Sequence, residues 1–505
     1  MKRTSDNITD YETNTKCIKN APLLCIHNQK SLKEICTKPI IELTRIQIDY
    51  FYINKDILDL SLLNNLITNP NVIFDSIINI TSNKLSSNNL IYLAEIIKKN
   101  TVKILGFNNS YIENIDIIAE SLKNNTSINQ IYIYNCNINK IGSLCDVLKN
   151  NTSVSFLNIS HNKIEDVDKI AELIKENKSI KDLIINDNHF TNINSIGDAL
   201  KDNSCIENLD IFDCLTNLDS VKYFLNSLQY NHSIKKINLY KINTINFNIL
   251  EPLQYNDSLQ YIEFTKYLTV NPNGYHKIIN SEILAKIISN KNILHLDLSN
   301  CIIRDNLYPL VNILIEKDNI KYLYLQNCGC DITTLSSYIT KTNKLTSLYI
   351  DYNFISNNKL FTEAIKSNKS LLILSMNYIK GIANNSMPFD FDINYFLQNA
   401  ILNNENCKLT DLRIQDMITS EKTINILSDI ISTKKTFKFL NIKGDIWNHE
   451  LVKVGKINLW PLIDAIKSND TLTEISINRI YEETNNEQLN NLYKVIDYIL
   501  DRNRI

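Results

Sequence analysis

Residues 154–164 of the chain read VSFLNISHNKI, and two flanking stretches repeat their spacing. Residues 128–138 read INQIYIYNCNI, and residues 180–190 read IKDLIINDNHF. The shared pattern is L-x-x-L-x-L-x-x-N/C-x-L, with Ile or Val replacing Leu at several positions. The apolar residues Leu157 and Ile159 alternate with polar ones, which is the period-2 signature of a β-strand. The sequence therefore predicts one short strand in each copy.

The copies recur along most of the chain. Those that start at Val102, Ile128, Val154, Ile180 and Ile206 are each 26 residues apart. Earlier, less regular copies contain Ile78, Ile80 and Asn83, and before them Leu43, Ile46 and Ile48. This gives about sixteen repeats. The later copies start at Ile234, Leu259, Ile293, Ile320, Leu345, Leu371, Leu409, Phe437 and Leu472.

Between the predicted strands the apolar period changes to that of a helix. Ile115, Ile118, Ala119 and Leu122 show the i, i+3, i+4, i+7 spacing of an amphipathic helix of about three turns. A small residue recurs at the third position, which allows the helix to approach the sheet closely. One strand–helix unit cannot bury its apolar face alone, so stacked copies are expected to form an α/β solenoid (horseshoe). Its parallel sheet lies on the concave face and its helices on the convex face.

Two columns of asparagine recur with the repeat. The first follows the strand, is shared with cysteine, and is expected to bond the backbone of neighbouring turns. It contains Asn83, Cys136, Asn162, Asn188, Cys214, Cys301, Cys328 and Asn353. The second lies three residues before the strand, where we expect asparagine to end the helix in the left-handed conformation. It contains Asn125, Asn151, Asn177, Asn203, Asn231, Asn256 and Asn368.

On these residues the chain resembles leucine-rich repeat proteins of the ribonuclease-inhibitor type, which alternate strand and full helix. The join LKNNTSI at 122–128, repeated as LKNNTSV at 148–154, is similar to the helix-to-strand join of that subfamily. The resemblance implies a solenoid that binds protein partners. The bias toward Asn, Ile and Lys is also similar to repeat proteins of giant DNA viruses or AT-rich intracellular bacteria.

The repeat frame divides the chain into three parts. Residues 1–42 are an N-terminal cap segment, residues 43–480 the repeat array, and residues 481–505 a capping helix that carries Leu489, Leu492 and Val495. Three repeats contain insertions, near 267–280, 380–394 and 443–458, and the last of these includes Trp447. Insertions in solenoids map to loops, where function is common.

Composition excludes several classes of protein. The formal net charge is -2, which leaves no global basic field for nucleic acid. The 8 glycines form no cluster that could cradle a phosphate. The 11 cysteines are an odd number in a long chain, and neither a signal-peptide core nor a membrane span is found. We predict a cytoplasmic protein, acting there or in the cytoplasm of a host cell.

The sequence contains no recognisable catalytic constellation, so we predict no enzyme, cofactor or metal. Cys17, Cys25, His27 and Cys36 could bind zinc but lack the paired C-x2-C spacing, so buried or incidental cysteine is favoured. The stretch Cys328-Gly329-Cys330 also suggests a metal site, but Cys328 occupies the turn column, so structural packing is favoured. The dispersed histidines, among them His161, His189, His232 and His295, are expected at solvated turn or surface positions.

The concave face is the predicted binding surface, because large aromatic residues at outward strand positions favour protein contacts. An acidic group (Asp182, Asp187, Glu207, Asp210, Asp213) beside a basic one (Lys235, Lys236, Lys241) also suits a charge-complementary protein. We predict a protein partner, and no small-molecule substrate, nucleic acid or membrane. The residues expected to contact it are Tyr132, Tyr134, Phe156, Asp210, Phe212, Tyr240, Tyr322, Tyr324, Tyr349 and Trp447.

Two alternatives remain open. A regulator of a GTPase would use an arginine on a loop after a strand, a position that Arg304 occupies. A substrate adaptor for a ubiquitin ligase would recruit the ligase through residues 1–42, although only residues 31–38 show a helical pattern there. Sheet propensity alone also accounts for tyrosine in strands.

Overall fold

A computed structural model describes most of the chain. The described residues are 24–26, 46–54, 60–68, 72–211, 218–238, 247–263, 277–279, 281–289, 292–303, 307–379, 391–418, 420–444, 457–477 and 486–502. They belong to two compact units, Met1–Ser227 and Leu228–Ile505.

The first unit contains a parallel sheet. Its paired strands are β1 (Leu24–Ile26), β2 (Ile46–Asn54), β3 (Val72–Thr81), β5 (Val102–Asn108), β7 (Gln130–Tyr134), β8 (Phe156–Asn158), β9 (Asp182–Ile184) and β10 (Asn208–Asp210). The short strands β4 (Lys84–Leu85) and β6 (Tyr111–Ile112) pair beside them. Helices connect the strands: α1 (Asn64–Thr68), α2 (Ser87–Lys98), α3 (Asp116–Leu122), α4 (Gly142–Leu148), α5 (Val167–Glu176), α6 (Asn194–Asp202) and α7 (Leu218–Leu228), whose last residue begins the second unit.

The second unit repeats this organisation. Its strands are β11 (Lys236–Asn238), β12 (Tyr261–Glu263), β13 (Lys277–Ile279), β14 (His295–Asp297), β15 (Cys301–Ile303), β16 (Tyr322–Tyr324), β17 (Ser347–Tyr349), β18 (Ile373–Ser375), β19 (Asp411–Arg413), β20 (Phe439–Asn441) and β21 (Glu474–Ser476). Its helices are α8 (Ser281–Ile288), α9 (Tyr308–Lys317), α10 (Ser336–Lys341), α11 (Asn358–Ser367), α12 (Ile393–Phe396), α13 (Glu421–Thr433), α14 (Trp460–Ser468) and α15 (Glu487–Arg502). 3-10 turns lie at Phe247–Tyr255 and Ile332–Leu335, and a π-helical turn at Leu397–Leu402.

The spacing of the repeats gives the register of the sheet, because residues at the same repeat position pair in adjacent strands. Leu105 pairs with Ile131, and the same column continues through Leu157, Leu183 and Leu209. All five side chains are buried, as are the equivalent residues of the second unit. The predicted α/β solenoid, with parallel strands on one side of the core and helices on the other, is therefore confirmed in each unit.

The frame predicted for the earliest copy is wrong. In strand β2 it is Phe51, not Ile46, that pairs with Ile78, and a register shift opposite Ile48 and Tyr50 adds one residue to β3 between Phe74 and Ile77. Strand β1, from the predicted N-terminal segment, pairs in turn with Phe51. Phe51 and Ile53 repeat the spacing of Ile46 and Ile48, so the apolar pattern allows both frames, and only the pairing with β3 selects the later one.

The first asparagine column holds the turns as predicted. The Asn162 side chain accepts a hydrogen bond from the backbone N–H of Cys136 at 2.9 Å and donates one to the carbonyl of Ile133 at 2.7 Å. Where cysteine replaces asparagine, the Cys328 thiol lies 3.1 Å from the carbonyl oxygen of Leu298. Burial raises the pKa of Cys136 to about 12, so the Cys136 thiol stays protonated and serves as a hydrogen-bond donor.

The left-handed conformation predicted for the second column is wrong. Asn177, for example, has an extended backbone with φ -69°. Its buried side chain instead accepts a hydrogen bond from Ile180 N–H at 2.7 Å and donates one to the carbonyl of Leu148 at 2.7 Å. Most left-handed residues lie in the turns after the strands, such as Asn135 and His161, and two, Asn100 and Asp318, lie at helix ends outside this column. An amide that bridges two repeats satisfies more buried backbone groups than a left-handed cap would.

The C-terminal segment contains a helix, and the small residue of the helix position lies against the neighbouring helix, where closeness to the sheet was expected. Helix α15 buries Leu489, Leu492 and Val495, the three residues predicted to form its apolar side. At Gly197 a Cβ atom would lie 2.9 Å from Ser227 Oγ and 3.3 Å from the Cα of Phe224. The close approach of neighbouring helices therefore depends on a small residue there.

Candidate partner-binding face

Each three-residue strand from β8 to β12, and β14 and β16 to β21, buries its middle residue and leaves at least one flanking side chain partly exposed. In β8, Leu157 is buried between the half-buried Phe156 and Asn158, and in β16 Leu323 is buried between Tyr322 and Tyr324. Successive side chains of a strand point to opposite faces, so the flanking residues lie on the side opposite the helices. We call this surface of each unit its strand face.

In the first unit, the strand face carries a small aromatic group. The rings of Tyr132 and Phe156 lie 4.7 Å apart between centroids, and Tyr134 meets His161 edge-on at 4.8 Å. The Tyr132 hydroxyl donates to Gln130 Oε1 at 3.0 Å, which fixes the ring. His161 Nδ1 lies 2.6 Å from a carboxylate oxygen of Asp187. Tyr132, Tyr134 and Phe156, predicted from separate repeats, thus lie together.

The acidic group of the first unit is spread over the same strand face. Asp182 is hydrogen-bonded to Asn208 of the next strand, and Asp210 lies half-buried at the end of β10. Glu207 is 3.7 Å from the ammonium of Lys181, an exposed pair that contributes little to stability.

In the second unit, rings from four neighbouring strands form a continuous stack. Tyr261 and His295 have centroids 3.7 Å apart, His295 and Tyr324 are 4.8 Å apart, and Tyr324 and Tyr349 are 4.3 Å apart and 5° from parallel. Tyr322 lies beside the stack, 5.6 Å from His295. We call Tyr261, His295, Tyr324 and Tyr349 the ring ladder. The rings cover one another's inner faces, the Tyr261 hydroxyl donates to Glu263 at 3.3 Å, and the hydroxyls of Tyr324 and Tyr349 are hydrogen-bonded to each other.

Cations lie at both ends of the ring ladder. The Lys236 ammonium is 4.3 Å from the centroid of Tyr261. At the other end, the Arg413 guanidinium lies 5.6 Å from the ring of Tyr349 and 4.9 Å from that of Phe439. Arg413 also donates to Asp411 at 2.7 Å, and this hydrogen bond raises the pKa of Arg413. Cation–π contacts on both sides stabilise the stacked arrangement.

His295 departs from the sequence prediction, which placed it at a solvated surface position. It is instead enclosed between two tyrosine rings, and its Nε2 atom has no hydrogen-bond partner among the described residues. Burial, with a smaller contribution from Lys236, lowers the pKa of His295 to about 4. The imidazole is therefore neutral at pH 7 and acts as a flat ring of the stack.

The carboxylates near the ring ladder accept hydrogen bonds from other residues of the protein. Asp351 accepts hydrogen bonds from Gln326 at 2.5 Å, from the Ser375 hydroxyl at 2.7 Å and from the backbone N–H of Asn377 at 2.8 Å. Burial raises the pKa of Asp297, which is bonded to Ser299. These polar groups support the strands beneath the rings.

Sequence reasoning found part of this surface. The predicted Tyr324 and Tyr349 stack on each other, and Tyr322 adjoins them. It missed Arg413 and Phe439, which the alignment of the repeats could have placed beside the anchor Leu412 and its neighbour Leu440. Other candidates lie outside the described residues or, for Cys25, have no described side chain: Phe212, Tyr240, Trp447, Arg304, Asp213, Lys241, Cys17, Cys25, His27 and Cys36. Most of the three insertions lies outside them as well.

Within the part of the chain that the structure describes, no three His, Cys, Asp or Glu side chains are grouped to hold a metal ion. Among the described helices, none combines the length and apolarity needed to cross a membrane.

Comparison with solved structures returns repeat proteins of low sequence identity. An internalin of Listeria monocytogenes matches with a TM-score of 0.45 and 15% identity, over 77% of this chain and 89% of its own. A leucine-rich repeat protein of Leptospira interrogans matches with a TM-score of 0.45 and 13% identity, over 89% and 99%. No protein-family profile matches the chain. No curated protein matches it either.

Proposed function

We propose that this leucine-rich repeat chain is a non-enzymatic scaffold that binds a protein partner on its strand face. The ring ladder carries the proposal. Four rings held at centroid distances of 3.7 to 4.8 Å lose little conformational freedom on binding, and aromatic side chains fixed in this way are the usual anchors of protein interfaces.

The subtype of the repeat, the bounds of the array and the cellular compartment are part of the same proposal. Helices α2 to α6, of 7 to 12 residues between successive strands, support a ribonuclease-inhibitor-like type of repeat. The array spans residues 43–480, with segment 1–42 before it and the capping helix after it. The seven cysteines whose side chains the structure describes are all free, which supports a reducing compartment such as the cytoplasm.

Photo-cross-linking tests this function. Benzoylphenylalanine replaces Tyr349, on the strand face, or Tyr255, which is 66% exposed in the 3-10 turn Phe247–Tyr255 of the same unit. Both proteins are irradiated in cell lysate, and the adducts are identified by mass spectrometry. We expect specific protein adducts at position 349 and not at 255.

A ladder variant supplies the second arm of the test. Tyr324→Ala with Tyr349→Ala removes the closest parallel pair of rings, and circular dichroism establishes that the variant is folded. We expect the partner captured by the wild type to be lost. Identical partners for the wild type and the folded variant, together with equal adducts at both cross-linking positions, would refute the strand face as the interface.

A further inference from the structure

A row of lysines borders the ring ladder. Five consecutive repeats of the second unit each place one exposed lysine within two residues of the buried residue that starts the repeat. The five strands they adjoin, β16 to β20, pair in order, so the row crosses adjacent strands. At ~4.8 Å per strand the row extends over about 19 Å across the strands. Its first and last lysines follow the starting residue of their repeats and the other three precede it, so the row is a band a few residues wide along the strands. The residues of this lysine row are Lys321, Lys344, Lys369, Lys408 and Lys438.

The charge of this row is not offset within the described residues. No carboxylate of the described chain lies within 4.0 Å of these five ammonium groups, whereas Lys286 and Lys435 of the same unit pair with Glu251 at 3.0 Å and Asp470 at 3.5 Å. The acids closest to the row are otherwise engaged: Asp411 binds Arg413, and Asp318 accepts from the Thr342 hydroxyl. Exposed Glu405 and, on the strand next to Lys438, exposed Glu474 are further carboxylates at this edge, and neither forms an ion pair with the row. Five like charges at this spacing repel one another and attract an anionic ligand.

The lysine row and the rings lie side by side and form a strip with a cationic edge next to an aromatic one. The Lys321 ammonium is 5.4 Å from the ring of Tyr322, so the row adjoins the aromatic surface directly. On the other side of the strip lie Tyr324 and Tyr349 of the ring ladder, and then Arg413. In an extended peptide, successive side chains point in opposite directions. A peptide that follows the strip can therefore direct carboxylates to the lysines and apolar side chains to the rings.

We infer that the strand face of the second unit binds an extended, acidic segment of its partner protein, in which acidic and apolar residues alternate. This inference rests on the proposed function and specifies the chemistry of the partner. At ~3.3 Å per residue, about six residues cover the 19 Å of the row.

A nucleic acid suits this surface less well. Single strands bind proteins by stacking bases on open aromatic faces. Here the faces of Tyr324 and Tyr349 are covered by each other at 4.3 Å, and Tyr261 covers one face of His295. The net charge of the whole chain, -2, also gives no long-range attraction for a polyanion.

Fluorescence polarisation with a defined probe tests the inference. The probe is a fluorescein-labelled peptide of about eight residues in which glutamate and leucine alternate. Lys344→Glu with Lys369→Glu reverses two charges of the row, and Lys359→Glu with Lys366→Glu makes the same change in net charge on helix α11. We expect about tenfold weaker binding for the first variant, because two attractions become repulsions, and wild-type affinity for the second. The matched lysine–leucine peptide is expected not to bind.

The outcomes separate the two proposals. Equal affinity for both variants, no binding of the glutamate–leucine peptide to the wild type, or tighter binding of an oligothymidine of similar length would each overturn the acidic-segment inference. If cross-linking at position 349 still yields protein adducts, the strand face remains the interface and only the partner chemistry is wrong. If the cross-linking fails as well, the proposed function fails with it.

Discussion

Asn368 offers a direct test of how neighbouring repeats are joined. Its buried side chain accepts hydrogen bonds from the backbone N–H groups of Ser370 at 2.9 Å and Leu371 at 2.7 Å. It donates to the carbonyl oxygens of Ile339 at 2.7 Å and Thr342 at 3.3 Å, in the preceding repeat. One amide therefore satisfies four backbone groups.

Alanine at position 368 leaves all four groups without their partner. At a net ~1 kcal/mol for each hydrogen bond, Asn368→Ala lowers the free energy of unfolding by about 4 kcal/mol. Threonine is expected to cost about half of that. The reason is visible one repeat earlier, where the Thr342 hydroxyl accepts from Lys344 N–H at 3.2 Å and Leu345 N–H at 3.3 Å.

The assay is urea unfolding followed by circular dichroism, with amide hydrogen exchange of strand β18 as a local measure, since repeat arrays can unfold in parts. Asn343→Ala, an exposed asparagine of the preceding join, is the matched control and is expected within ±0.5 kcal/mol of the wild type. If Asn368→Ala resembles Asn343→Ala, or if threonine is as costly as alanine, the bridging role is refuted.

Three further predictions concern single side chains. The pKa of His295 falls from 6.5 to about 4 on folding, so the unfolded chain binds more protons in that window and stability decreases as the pH falls from about 6.5 toward about 4. His295→Phe keeps a ring in the stack and is expected to reduce this loss, measured as urea midpoints at several pH values; an unchanged pH dependence would contradict the buried neutral imidazole. Of the seven described cysteines only Cys205 is partly exposed, so it should react with iodoacetamide before the buried six, as peptide mass spectrometry of the native protein would show. Faster labelling of a buried thiol would contradict this packing. Gly197→Leu should lower the urea midpoint far more than Gly197→Ala, because the added atoms meet Ser227 and the backbone of Phe224; equal midpoints would show that the helices can separate freely.

The regular repeats were predictable because their spacing is constant. Leu157 and Leu183 are 26 residues apart in sequence and adjacent in the sheet, so the alignment of the copies gives the strand register directly. In β2 the same apolar spacing occurs twice, and the frame set at Leu43 took the earlier pair, five residues before the one that the neighbouring strand pairs with Ile78. The asparagine bridges were misread for a related reason. Their partners, such as the Leu148 carbonyl bonded to Asn177, lie in the preceding repeat, whereas the prediction considered the local backbone conformation alone.

The candidate site was predictable as a set of outward aromatic residues and not as a stack. Period-2 alternation places Tyr324 and Tyr349 on the strand face. It does not determine that their rings lie 4.3 Å apart and nearly parallel, nor that His295 continues the stack. Ring orientation depends on rotamers, which neighbouring strands select together through packing.

The sequence by itself determined the repeat, the strand–helix alternation, the buried anchors and the outward-facing positions, because each follows from local periodicity. Tertiary structure decided what those positions become. Burial lowered the pKa of His295 and made it a neutral ring of the stack, the pairing of β19 with β20 brought Arg413 to Phe439, and the parallel sheet placed five separate lysines near the start of five adjacent strands. Desolvation, ring packing and charge repulsion all depend on distances between residues that are far apart in the chain, and only the folded protein fixes those distances.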